Sequence, residues 1–171
     1  MVQFYLGAGR DARGRSIDEI WQFGDDDLES LHDYIQWLFP TRKASAFNPA
    51  APRLSDGEAA AFRSSPDLRD RVRRSLRLML RFYGLELGAG SPAIAAIRPA
   101  ADLAERGPRW WGSGNHNHLR LTRILDSLAA LGLESEAQDL NRCLEQVRRD
   151  YQTGISERTL RYWADAAHGA T

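Results

Sequence analysis

The stretch GSGNHNHLR, from Gly112 to Arg120, delivers two imidazoles, His116 and His118, into the start of a helix behind a glycine-rich turn. Glycines ahead of free helix amides can hold an anion. The run is not GxxxxGK followed by Ser or Thr, and no strand pattern precedes it, so a nucleotide phosphate loop is not predicted. Residues two apart on a helix point roughly 160–200° away from each other. His116 and His118 are therefore poor joint metal ligands, no HExxH motif accompanies them, and no metal or other cofactor is predicted. Further along, His116, Arg120 and Arg123 fall at i, i+4 and i+7, one polar line on an otherwise apolar rod. A lone desolvated charge costs several kcal/mol, so carboxylates are expected to meet these arginines, with Asp33 and the Asp25 to Asp27 cluster as candidates. The first reading of the line is a buried ion-pair and hydrogen-bond network holding two central helices in register; the second is an anion-binding or catalytic site.

A second polar set lies in HDYIQWLFP, where His32, Asp33 and Gln36 sit among Tyr34, Ile35, Trp37, Leu38 and Phe39. Helix neighbours diverge by about 100°, so Asp33 is badly placed to orient His32, whereas Gln36 lies one turn away on the same side. His32 is expected to be a core histidine bonded to a neighbour. The chain has no GxSxG, no paired Cys and His signature and no carboxylate dyad at recognisable spacing, which leaves His116 and His32 as weak catalytic candidates. Cys143 recurs at helical spacing with Leu140, Leu144 and Val147, which suits a small core residue better than a nucleophile. Arg69, Arg73, Arg77 and Arg81 are each four apart, with Arg74 beside them; the ribbon would suit a phosphate backbone or an acidic partner, but a solvated face is the reading preferred.

The elements that must position these groups are mostly helical. Ser16 with Glu19 and Ser55 with Glu58 make capping-box patterns ahead of short helices. Asp25 to Asp27 place negative charge at a helix start, and one helix is expected from there to Pro40, with Leu28, Leu31, Ile35 and Leu38 as its stripe and Tyr34, Trp37 and Phe39 widening it. A long helix opens at Ser65 with Pro66 and closes at Gly84; another spans about Asn117 to Leu131 with Gly132 as its stop; two more begin at Ser135 and Ser156. A short strand is possible only at Gln3 to Leu6. From Leu85 to Gly114 the Gly and Pro content predicts a long irregular connection with one helical turn near Asp102 to Arg106, kept ordered by Trp110 and Trp111. The predicted fold is all-α, one multi-helix domain over residues 1–171 with this ordered loop between its central helices.

Composition narrows the function classes. The 23 basic and 23 acidic residues cancel, so no whole-molecule field draws the chain to nucleic acid or anionic lipid. A single cysteine excludes an intrachain disulfide. The mean hydropathy of −0.49 and the lack of any apolar run approaching about 18 residues argue against a membrane span. No secretory signal is legible, so the cytoplasm is the expected address.

The ordered blocks FYLGAGRDARGRSIDEI, HDYIQWLFP, FNPAAPRLS, LMLRFYGLEL and HNHLRLTRILDSLAALGLE resemble the conserved region of the opioid growth factor receptor family, roughly from Phe4 to Trp163, in a short bacterial-type form. The resemblance implies a receptor-type role: vertebrate members bind the pentapeptide methionine-enkephalin, associate with the nucleus and its envelope, and restrain proliferation. The long tails of those proteins are absent from this chain, so their targeting and repeat functions are not expected here. Together these observations predict a helical binding module for a small peptide or anionic small molecule, with His32, Gln36, Trp37, Trp110, Trp111, His116, Arg120 and Arg123 as its ligand-binding residues. A small enzyme acting on a phosphorylated or carboxylated substrate, and nucleic-acid binding through the arginine ribbon, are the alternatives.

Overall fold

The computed structural model describes residues 1–45, 48–49, 51–88 and 97–169. Along them the chain runs α1 (Val2–Tyr5), α2 (Ile17–Ile20), α3 (Asp25–Ser30), α4 (Ile35–Leu38), α5 (Asp56–Ser64), α6 (Pro66–Tyr83), β1 (Leu85–Leu87), β2 (Ile97–Pro99), α7 (Leu103–Arg106), a 3-10 turn at Gly107–Arg109, α8 (Asn117–Ala130), α9 (Glu134–Asp150) and α10 (Glu157–Ala167). The all-α class holds. Phe47 and Ala50 of the FNPAAPRLS block, and residues 89–96 of the Leu85 to Gly114 segment, lie outside the described residues.

Local side-chain chemistry starts four of these helices. Ser16 and Glu19 exchange reciprocal side-chain and backbone bonds ahead of α2, and Ser55 and Glu58 do the same ahead of α5, which satisfies amides that a helix start leaves free. Ser65 accepts from the Leu68 amide with Pro66 in the first turn of α6, and Ser156 accepts from the Thr159 amide to open α10. Gly84 ends α6 at φ 72°, a left-handed conformation that suits glycine, and a Cβ there would sit 2.9 Å from the Leu103 backbone. The helix expected to begin at Ser135 starts instead at Glu134, with Leu133 in the N-cap position and no side-chain cap bond.

Three expectations are corrected. The Gln3 to Leu6 strand is the helix α1: Tyr5 and Leu6 amides bond back to Met1 and Val2 carbonyls at 3.1 and 2.9 Å. Phe4 and Tyr5, adjacent in sequence, are both buried, whereas a strand would send them to opposite faces. Second, the helix expected from Asp25 to Pro40 is two helices. Leu31 turns extended, with φ −87° and ψ 137°, so the chain leaves α3 and re-enters a helix only at Ile35. Third, the Leu85 to Gly114 segment carries a two-stranded antiparallel sheet, with Leu85 opposite Pro99 and Leu87 opposite Ile97, besides the expected turn at α7.

One cluster of buried side chains extends from Phe4 to Ala167. α6 runs through it with Val72, Leu76, Met79, Leu80 and Tyr83 inward, and α8, α9 and α10 pack on one another. Glu136 on α9, 3% exposed, accepts from Arg73 Nε at 2.6 Å, a partly buried ion pair that ties α6 to α9. Ser75 on α6 accepts from Trp21 Nε1 at 3.0 Å, and Cys143 is buried, which pushes its thiol up to about 12. Among the described residues no helix is long and apolar enough to cross a membrane.

Candidate functional site

The break between α3 and α4 makes the site. Where a helix ends, its last carbonyls lose their intrahelical donors and carry partial negative charge. Arg120, on α8 and 5% exposed, fills that gap. Its guanidinium donates to the carbonyls of Leu28 at 2.7 Å, Glu29 at 3.2 Å and Leu31 at 2.8 Å, to Asn117 Oδ1 at 3.2 Å and to His32 Nδ1 at 2.8 Å. It also lies 5.7 Å from the Tyr34 ring centroid. The expected carboxylates are elsewhere: Asp33 pairs with Arg13 and Arg15, and Asp25 accepts from Arg106 at 2.6 Å and Arg109 at 2.8 Å. Burial pushes the Asp25 carboxyl up, but the Arg109 and Arg106 bonds outweigh it and hold the group below its ordinary range. Backbone carbonyls replace carboxylates because the interrupted helix supplies three of them at one point, of which Leu28 also accepts from the Tyr34 hydroxyl at 2.8 Å.

His32 is likewise not the expected core histidine. It is exposed, and because its Nδ1 accepts from Arg120, its proton sits on Nε2. Its ring meets that of His116 edge to face at 5.4 Å. His116 Nε2 lies 3.5 Å from Glu29 Oε1; burial, Arg120 and, less strongly, His32 push its imidazole down, partly opposed by Glu29. His118 goes to the other side of α8 and is sealed, donating from Nε2 to the Trp110 carbonyl at 2.9 Å and standing edge-on to Trp163 at 5.6 Å.

Beside this anchor is a cavity of about 630 Å³ walled by α4, α8 and the segment after Pro40. His32, Gln36, His116, Arg120 and Arg123 line it. Trp37 does not: it packs on Phe4 with ring centroids 5.2 Å apart. Trp110 is fully buried, with Nε1 donating to the Tyr83 carbonyl at 3.0 Å, and Trp111 packs tilted on Tyr151, ring centroids 4.9 Å apart. The structure thus brings five of the eight sequence candidates to one wall and puts the three tryptophans into packing.

Sequence reasoning missed Ile35, Thr41, Lys43, Leu119 and Asp126 in the same lining. Leu119 and Asp126 follow His116 by three and ten residues, so extending the helical stripe would have found them. Thr41 and Lys43 arrive through tertiary folding alone.

Two groups in this wall lack full satisfaction. Arg123 donates from Nη1 to the Phe39 carbonyl at 3.3 Å and to Thr41 Oγ1 at 3.2 Å, and among the described residues Nε and Nη2 find no acceptor. Burial depresses its guanidinium, with Asp126 partly opposing. Gln36 is 7% exposed and its Oε1 is buried with no hydrogen-bond partner among the described residues. Leu119, at 59% exposure, is one of the few large apolar side chains left in solvent. No cluster of three or more His, Cys, Asp or Glu is placed to hold a metal ion among the described residues.

The family model described as the opioid growth factor receptor conserved region matches residues 2–168. The chain belongs to that family. It is 42% identical over 127 residues to the opioid growth factor receptor of Rattus norvegicus, covering 71% of this chain and 21% of that protein. It is 39% identical over 150 residues to the Homo sapiens protein of the same name, covering 84% and 21%. The opioid growth factor receptor-like protein 1 of Mus musculus is 35% identical over 125 residues, covering 71% and 26%. The chain therefore spans about a fifth to a quarter of the length of these relatives. No solved structure matches it.

The stretches HDYIQWLFP and HNHLRLTRIL both supply walls of the cavity, and they meet through Arg120. The arginine ribbon is largely tied into the fold: Arg73 pairs with Asp70 and Glu136, Arg69 donates to the Arg63 carbonyl, Arg81 donates to the Phe23 carbonyl at 3.4 Å, and Arg74 lies over the Trp21 ring at 3.9 Å.

Proposed function

We propose that this chain is a ligand-binding module that takes a short peptide or other small anionic molecule into the cavity between α4 and α8. The observation that carries the reading is Arg123, a half-buried guanidinium in the cavity lining whose Nε and Nη2 make no hydrogen bond and to which no carboxylate is bonded among the described residues. Desolvated cations are ordinarily paired, so an open one in a cavity favours an anionic ligand. Lys43 and Arg120 add positive charge to the same wall against a single carboxylate, Asp126. The volume lies inside the usual range for small-molecule sites, about 300–1,000 Å³. Relatives named as receptors support binding rather than turnover.

The test is amide-resolved NMR of the labelled chain titrated to millimolar concentration with methionine-enkephalin, acetate and inorganic phosphate. Saturable shifts concentrated at Gln36, Leu119 and Arg123 are expected for at least one probe; a spectrum unmoved by all three removes the reading.

The His32 and His116 pair favours a second reading, acid-base chemistry on a phosphorylated or carboxylated substrate. His116 is held mostly deprotonated near neutral pH, as a general base requires, and both rings reach the cavity. Hydrolysis of a phosphate or carboxylate ester by the native chain, lost in His116→Gln, is the outcome this reading requires.

A further inference from the structure

We infer that the ligand of this cavity enters it as a free carboxylate with an amide N–H on the neighbouring atom, the chemistry shared by the C-terminal residue of a peptide and an N-acylated amino acid. The inference rests on the proposed binding role and assigns the group that the site reads.

Three features of the wall select this chemistry over other anions. The donors of Arg123 without an acceptor among the described residues are Nε and Nη2, two parallel N–H groups at the spacing of a planar carboxylate, and Nη1 is held by Phe39 and Thr41 so the fork cannot swing freely. Gln36 then demands something more than an anion. Its Oε1 is buried and unpartnered, and among the described residues its amide nitrogen makes no hydrogen bond either, so both ends of one amide await partners. A fully deprotonated anion such as acetate supplies acceptors but no donor. A carboxylate flanked by an amide N–H supplies a donor for Oε1 and a second acceptor for the Gln36 nitrogen at once. Leaving such a buried group unmatched is costly, which is how a polar pocket discriminates against analogues that lack the donor.

Asp126 supplies the third argument. A carboxylate in the same lining as Arg123, Arg120 and Lys43 lowers the positive potential to a level that suits a monoanion and penalises a phosphate dianion. Ile35 and the exposed Leu119 give the remaining wall an apolar surface, fitting the side chain of a terminal residue rather than a bare ion.

The experiment is calorimetry of the intact chain with N-acetyl-leucine, N-acetyl-leucine amide, methionine-enkephalin, its C-terminal amide and inorganic phosphate. The free acids are expected to bind at least about tenfold more tightly than their amides, because amidation removes the charge that Arg123 faces. Gln36→Leu should weaken the free acids severalfold while the melting curve shows the chain still folded. A gain for the pentapeptide over N-acetyl-leucine identifies a peptide as the source; equal affinity identifies the acyl amino acid, and both support the inference. Equal binding of acids and amides, or phosphate binding tighter than either acid, overturns the inference and leaves the binding role standing. Heat from none of the five probes overturns both.

Discussion

Arg120 and Arg123 sit one turn apart on the same helix and line the same cavity, yet one is a structural plug and the other is left half open. Arg120 has five acceptors, three of them carbonyls released by the break after α3. Arg123 has two, both from Nη1. Residue type, helix and spacing are the same, so what separates framework from site is how many donors the fold consumes. The comparison breaks if the two positions respond alike to substitution. The largest effect is expected at Arg120→Met, which fills similar volume but strands the Glu29 and Leu31 carbonyls and leaves the Leu28 carbonyl with the Tyr34 hydroxyl alone, at 2.8 Å. Urea unfolding should show a loss of about 3–5 kcal/mol. A loss under about 1 kcal/mol means the carbonyls are met by water instead, and Arg120 belongs with Arg123.

A smaller effect sharpens the same division at the two histidines of the helix entry. His118 is sealed against Trp110 and Trp163; burial lowers its imidazole, partly offset by the Trp110 carbonyl. His116 is lowered too but is half exposed beside Glu29. A group depressed in the folded state takes up its proton more readily when unfolded. Stability should therefore be complete above the ordinary value of 6.5 and decline as pH falls from there through the depressed folded value. Thermal melts between pH 7.5 and 5 should show this decline, and His118→Gln should flatten it more than His116→Gln. The carboxylates of Glu19 and Glu58, also held low, lose their contribution only at more acidic pH, below their ordinary 4.5. Equal flattening by the two histidine substitutions would mean that burial does not distinguish the two faces of the helix entry.

How much of this was legible in the sequence follows from the range of each interaction. Ser16 with Glu19, Ser55 with Glu58, Ser65 with Pro66 and the stops at Gly84 and Gly132 act within a few residues, so spacing alone places them. The interruption between Ser30 and Ile35 is written in no local residue, since Leu28 to Leu38 keeps a helical stripe across it. Its compensating donor, Arg120, is 92 positions from Leu28. The three-residue strands Leu85–Leu87 and Ile97–Pro99 are too short for alternation to register. For the site, the i, i+4, i+7 line on α8 was readable, and the clustering of basic groups with His32 and Gln36 followed from two enclosed helices meeting. The tryptophans misled because aromatic surface serves cores as readily as pockets: Trp110 and Trp163 are among the largest fully buried side chains here.

The smallest expected effect on stability is also the most discriminating. Arg123→Gln removes two long hydrogen bonds, at 3.3 and 3.2 Å, but it also removes a partly desolvated charge whose pairing the fold leaves incomplete. Glutamine can still donate toward Thr41 or the Phe39 carbonyl, so the two contributions nearly cancel, and urea unfolding should move by less than about 1 kcal/mol. Ligand binding in the cavity should fall at least about tenfold in the same variant, since the fork that meets an anion is gone. Stability kept while binding is lost is the signature of a residue held open for a ligand, because a framework arginine loses both together. If Arg123→Gln instead unfolds the chain as Arg120→Met does, its open edge is a gap in packing, and the cavity loses the cation on which its anion preference depends.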